Sequence, residues 1–236
     1  MSDAVDALAA KGPVEETAWP TRVRGHVVDP GPPARVHGYA VAGDLAAHYR
    51  FSSVVLLSLT GELPDAAREQ LFESALICAS AVSVAEAPAH AAGLARLVGA
   101  SSSSVLQVGA LGLGERAWFI VSRHKDWLAW LESGAGPVPE VARAIGPDLD
   151  ARVLQLREIA SAVGLDVPAL ADAITWDAAL LAALWVCGLR KVPQFETALV
   201  VAALATVAAE GHAWPRGRFR EYPMNTPAMQ YDREAP

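Results

Sequence analysis

Hydrophobic positions along this chain recur at helical spacing, and glycines and prolines cut them into segments of helix length. Phe51 to Leu59 is an apolar run that Gly61 stops. Pro64 and Asp65 open the next segment, which runs towards Val84 with Leu71, Ala75 and Cys78 on one helical face. Upstream, Gly38 and Gly43 permit tight turns, and Asp44 is placed to cap a short helix beginning at Leu45. His90 to Val98 predicts another helix, ended by Gly99, and Ser102 or Ser103 starts the helix that carries VLQVGALGLG. Glu115 to Glu132 continues it as an amphipathic helix anchored by Trp118, Phe119, Trp127, Trp130 and Leu131. Asp150 to Val163 predicts a helix with Leu154, Leu156, Ile159 and Ala160 inward, and Pro168 to Ile174 a short one. Asp177 to Cys187 and the very apolar Phe195 to Glu210 complete the series.

The breaks between these periods suggest an organisation. Pro30, Gly31, Pro32 and Pro33 enforce an irregular or briefly extended stretch before His37. The SGAGPVP break at Ser133 to Pro139 is the best hinge between two lobes. The expected division is an arm and linker over 1–36, the first part of a large helical domain over 37–132, a reduced small domain over 133–192, and a closing helix with a tail over 193–236.

Composition supports this picture and removes several function classes. Of the 236 residues, 53% are hydrophobic, enough for one substantial core, and only 7% are aromatic. Abundant alanine, with β-branched residues inside helical periods, predicts a nearly all-α protein. A net charge of −7 argues against a nucleic-acid backbone as partner, which requires clustered Lys and Arg, and leaves a small molecule or a protein. Cys78 and Cys187 lie in apolar helical surroundings and read as free thiols, which fits a reducing cytoplasm. Acidic residues near the start, Asp3, Asp6, Glu15 and Glu16, do not form a secretory signal. Thr197 to Ala209 is shorter than the ~20 apolar residues that cross a bilayer, so a buried helix and no membrane partner are expected. No cysteine or histidine pair has zinc spacing, no phosphate-binding glycine loop is present, and no metal or permanently bound cofactor is expected.

One stretch narrows the field further. HGYAVAGDLAAHYRFSSVVLLSLTGELP, His37 to Pro64, resembles the amino-terminal segment of citrate synthase and its citryl-CoA lyase relatives, most specifically in Thr60 to Pro64. The serine-led helix ending LGLGE resembles the family helix that leads to the active site and packs across a dimer two-fold. The resemblance implies a citrate synthase-like all-α fold with a large helical domain, a reduced small domain and a short amino-terminal β-ribbon. It also implies a homodimer and a coenzyme A thioester as substrate.

The family joins or splits a carbon–carbon bond beside a thioester carbonyl, with a carboxylate as base and histidines polarising carbonyls. ITWDAALLAAL, Ile174 to Leu184, resembles the family's aspartate motif and places Asp177 at the catalytic position, with Thr175 and Trp176 replacing Asn-Val. Helix capping is the competing reading of Asp177. The family's first histidine falls on Ala117, followed by bulky Trp118 and Phe119 where a glycine pair is usual, and His124 reads as a surface residue. The second histidine has no counterpart ahead of Asp150-Ala151-Arg152, which leaves Arg143 as an anion anchor. The helix arginine falls on Ala205, while His212 is kept. Arg216, Arg218 and Arg220 resemble the arginines lent to a partner's active site, against the plainer reading of a solvated basic tail.

Three functions follow as expectations. The first is a divergent enzyme binding an acyl-CoA or small carboxylic acid, making or breaking a carbon–carbon bond with Asp177 as base. The second is a non-catalytic regulatory or scaffold subunit pairing with a catalytic paralogue, and the third an enzyme repurposed to a biosynthetic substrate.

Overall fold

A computed structural model describes residues 25–145, 150–170 and 172–217. The chain divides into two compact units, one ending at Tyr49 and one beginning at Arg50.

The first unit carries the expected β-ribbon. Strands β1 (Val28–Asp29), β2 (Arg35–Val36) and β3 (Tyr39–Ala40) form an antiparallel three-stranded sheet in sequence order. Val36 pairs with Tyr39, so His37 and Gly38 alone make the β2–β3 turn, with φ of 45° and 87°. Two successive positive φ values give the turn whose twist matches a hairpin, and glycine supplies one of them without strain. A helical segment α1 follows, a π-type stretch Val41–Leu45 continued by Ala46–His48. It therefore starts earlier than Leu45, and Asp44 works from inside it: its carboxylate accepts from the Ala40 amide at 2.9 Å, satisfying an N–H that the helix start leaves free.

The second unit is a helical assembly of α2 (Phe51–Thr60), α3 (Ala66–Ala79), α4 (Ala87–Leu97), α5 (Ser102–Arg123), α6 (Lys125–Ser133), α7 (Ala151–Ala162), α8 (Trp176–Val186) and α9 (Val192–Ala213). The boundaries follow their chemistry. Gly61, at φ 85°, ends α2 in the left-handed conformation. Asp65 caps α3 by accepting from the Arg68 amide at 2.8 Å, and α3 stops at Ala79, short of Val84. Ser101, one residue before the expected serine, caps α5 by accepting from the Ser104 amide.

Two clusters hold the unit together. The larger gathers Leu71, Phe72 and Ala75 of α3, Trp127 and Leu131 of α6, Val153 and Leu156 of α7, nearly all of α8 and the first turns of α9. The smaller joins Ala89 and Ala92 of α4, Val105 and Leu113 of α5, and Ala203 and Val207 of α9. Glycine makes the smaller one tight: a Cβ on Gly109 would stand 2.9 Å from Val207, and one on Gly112 would stand 2.9 Å from Pro88. These two glycines thus serve contacts within the chain, whereas a Cβ on Gly114 would meet nothing within 4 Å.

Several expectations are corrected. The predicted helix over 115–132 is broken at His124, and Trp118 and Phe119 are 57% exposed rather than inward anchors. His124 is buried, its Nδ1 2.8 Å from the Ile120 carbonyl, because the break turns its ring back on the preceding helical turn. Leu154 faces outward, and Val153 takes its place in the core, one position out of the expected period. Pro168 to Leu170 forms a turn, with Ala169 at φ 55°, instead of the start of a helix. By length and composition α9 is able to cross a membrane; here it packs along α3, α4 and α5.

Candidate functional site

The amino-terminal turn of α8 gathers the chemistry-bearing side chains. Thr175 caps the helix, its hydroxyl accepting from the Ala178 amide at 3.4 Å. Asp177 lies inside the first turn, half-buried, and among the described residues no donor is bonded to its carboxylate. The capping reading of Asp177 is therefore not what the structure shows, since Thr175 holds that role. An acidic side chain in a first turn is favoured by the helix dipole.

Three further elements fix this turn. The segment after α6 pairs with it in antiparallel fashion: Thr175 N–H donates to the Ala142 carbonyl at 2.8 Å, and Ala144 N–H to the Ala173 carbonyl at 2.9 Å. From α6, the fully buried Trp127 donates its indole N–H to the Ala178 carbonyl at 3.0 Å, and its ring stacks on Trp130 at 4.9 Å. From α7, Arg152 lays its guanidinium over the Trp176 ring, 4.3 Å from the centroid.

Arg152 dominates the electrostatics. Its Nη2 donates to Asp150 at 2.6 Å and its Nε donates at 3.0 Å, a bidentate fork. Hydrogen bonding to Asp150 raises the guanidinium's affinity for its proton, with the negative charge of Asp177 adding to the effect. The same fork holds the Asp150 carboxyl below its usual range. Cys78 of α3 also feels this charged pair, although burial is what pushes its thiol up. The site thus brings together one unpaired carboxylate, a paired arginine, an indole face and a thiol.

The other expected site residues are placed differently. Arg143 belongs to the strand-like segment beside α8, but its exposed side chain turns back, Nε donating to the Val138 carbonyl at 3.1 Å. His212 is exposed in the last turn of α9. Arg216 is exposed, with Nη2 3.5 Å from the Gly99 carbonyl, at the junction of α4 and α5. Arg218 and Arg220 lie outside the described residues. Ala117 is buried in the core and Ala205 is exposed on α9, so neither position presents a polar group. Arg152 is the residue that motif reading undervalued; its signal was the Asp-x-Arg spacing of Asp150 and Arg152, which closes a fork across a helix start.

No family model and no curated protein matches this chain. Solved structures do. The citryl-CoA lyase of Hydrogenobacter thermophilus superposes with a TM-score of 0.62 at 18% identity, over 93% of this chain and 96% of that one. The chain has a citrate synthase-like fold. ATP citrate lyase of Methanothrix soehngenii, in complex with citrate and coenzyme A, matches at 0.60 with 14% identity. ATP citrate lyase of Methanosaeta concilii, an aspartate-to-alanine variant in complex with (3S)-citryl-CoA, matches at 0.59 with 15% identity. Each match covers 99% of this chain and 44% of the other, so the citrate synthase-like fold here spans less than half of those longer proteins. Against citryl-CoA lyase it is matched nearly end to end.

Proposed function

We propose that this protein binds a coenzyme A thioester or a small carboxylic acid and makes or breaks a carbon–carbon bond, with Asp177 as the proton-accepting base. The observation that carries the reading is the state of Asp177: relieved of capping by Thr175, half-buried, and set beside Arg152 and the Trp176 face. A carboxylate so placed accepts a proton next to a thioester carbonyl, and Arg152, whose Nη1 lies outside the fork to Asp150, can donate to a substrate carboxylate. Citryl-CoA lyase and the ligand-bound ATP citrate lyases on the same fold support this substrate class. With alanine at 117, carbonyl polarisation falls to other groups, so slow turnover or a substrate supplying its own polar groups is expected, which is where a biosynthetic role enters.

The test is direct. Purified protein is offered citryl-CoA, and separately acetyl-CoA with a panel of 2-oxoacids, while free coenzyme A and cleavage products are followed. Turnover that falls at least ~100-fold in Asp177→Ala supports the reading, in line with the usual share of general base catalysis. Absence of turnover with every pair sinks the standard chemistry.

A second reading rests on a different observation. Leu111, Trp118 and Phe119 leave a large apolar face of α5 exposed, and alanine stands where the resemblance would put the first histidine and the helix arginine. A non-catalytic subunit paired with a catalytic paralogue would show both. Copurification with such a paralogue, together with absence of turnover, selects it.

A further inference from the structure

A cavity of about 390 Å³ at the other end of α8 is not used by the site above. It is an open pocket lined by the end of α5, one face of α6, the last turn of α8 and the start of α9. Leu128, Trp185 and Phe195 give it apolar walls, and Lys125, Glu132 and Arg190 supply charge. Its size falls in the ~300–1,000 Å³ range of small-molecule sites, and a mostly apolar lining with a few convergent polar groups is the usual character of such sites. Trp185 lies eight positions after Asp177, about 12 Å along the axis at ~1.5 Å per residue, so the cavity is separate from the Asp177 site.

Arg190 decides which ligand fits. Its guanidinium lies 4.1 Å from the Trp185 ring centroid, and its Nη1 donates to the carbonyls of Trp185 and Leu189. One edge is thereby held rigid while no carboxylate among the described residues lies within ion-pair distance of it. A preoriented fork without a counter-ion, beside an apolar chamber, matches a carboxylate attached to a hydrocarbon tail. The charges lining the cavity sum to +1, from Lys125 and Arg190 against Glu132, which suits a monoanion better than a doubly charged phosphate.

We propose that this cavity binds a monocarboxylate with an apolar tail of several carbons, its carboxylate on Arg190 and Lys125 and its tail between Leu128, Trp185 and Phe195. Binding here is independent of the chemistry proposed at Asp177.

Octanoate is the probe, titrated into the full chain by calorimetry beside 1-octanol and inorganic phosphate. Octanoate is expected to saturate at millimolar concentration or below, with 1-octanol and phosphate at least ~10-fold weaker, the loss of one charged hydrogen bond being of that order. Arg190→Gln is expected to weaken octanoate at least ~10-fold, Ala129→Phe to block it by filling the chamber, and Asp177→Asn to leave it unchanged. Ala129 is an exposed lining residue, so that variant keeps the test valid should Arg190→Gln fail to fold. Absence of saturable octanoate binding, equal affinity in the folded Arg190→Gln or Ala129→Phe protein, or loss of binding in Asp177→Asn overturns the assignment.

Discussion

Two side chains carry pH-dependent stability that their surroundings define. Cys187 is buried against α3, donating its thiol to the Arg68 carbonyl at 3.5 Å, and burial pushes its pKa from 9.0 up to about 12. The folded state keeps the proton longer than the unfolded chain. Stability is therefore full below the unfolded value near 9 and is lost progressively as pH rises towards 12. Denaturant melts between those limits are expected to show a steeper alkaline decline for wild type than for Cys187→Ala, whose baseline stability is lower because of the cavity. Equal slopes would mean the thiol is not the group responsible. Asp150 behaves in the opposite sense. Its carboxyl is held below the usual range by the Arg152 fork, so its contribution is present above the unfolded value of about 3.9 and fades as pH falls through the lower folded one. The two side chains are 34% and 39% exposed, so water screens them and Asp150→Asn is expected to cost only ~0–1 kcal/mol near neutrality. The larger effect should be local, since Arg152 loses the partner that aims it at Trp176.

At the level of elements, the placement of the site turns on Trp127. Its ring anchors α6 in the core, and its N–H takes hold of the first turn of α8, one residue after Asp177. Trp127→Phe keeps most of the apolar volume and removes the hydrogen bond, leaving the Ala178 carbonyl to its helix partner alone. A loss of ~1–2 kcal/mol in denaturant unfolding is expected, with any turnover falling further than stability explains because Asp177 is no longer held in register. Unchanged stability would show that the hydrogen bond is dispensable. Much of this element framework was legible in the residues. Gly61, Asp65 and the serines near 101 act locally, through φ and through one hydrogen bond to a nearby amide, so short-range chemistry marks them within a residue or two. The break at His124 was not legible. Nothing in ERAWFIVSRHKDWLAW forbids a continuous helix, and a straight one would already set Trp118 and Trp127, nine residues apart, on opposite faces, so the burial pattern alone does not mark the break. The Arg152, Trp176 and Asp177 cluster was half legible: its aspartate sits in a readable motif, while its arginine arrives from another helix.

At the scale of the whole molecule, α5 has one side that the other described residues do not use. Gly109 and Gly112 face α9 and α4, but Gln107, Ala110, Leu111, Gly114 and Glu115 line an open furrow on the opposite side. Leu111 is 73% exposed, and Trp118, two turns on, extends the same stripe. A helix with apolar residues on both sides has two partners, and a furrow floored by small residues lets a second helix approach closely. The occupant we expect is α5 of a second copy, whose Leu111 and Trp118 would lie antiparallel across a two-fold axis and leave the same patch self-complementary. Sedimentation equilibrium should then return twice the 24.8 kDa chain mass for wild type. Leu111→Arg should return the single mass, because it sets two like charges facing one another at the axis, while thermal stability measured at high dilution stays close to wild type. Retention of the dimer in Leu111→Arg would place the interface elsewhere, and a wild-type monomer would leave the apolar side of α5 to a different chain, as the paralogue-subunit reading requires.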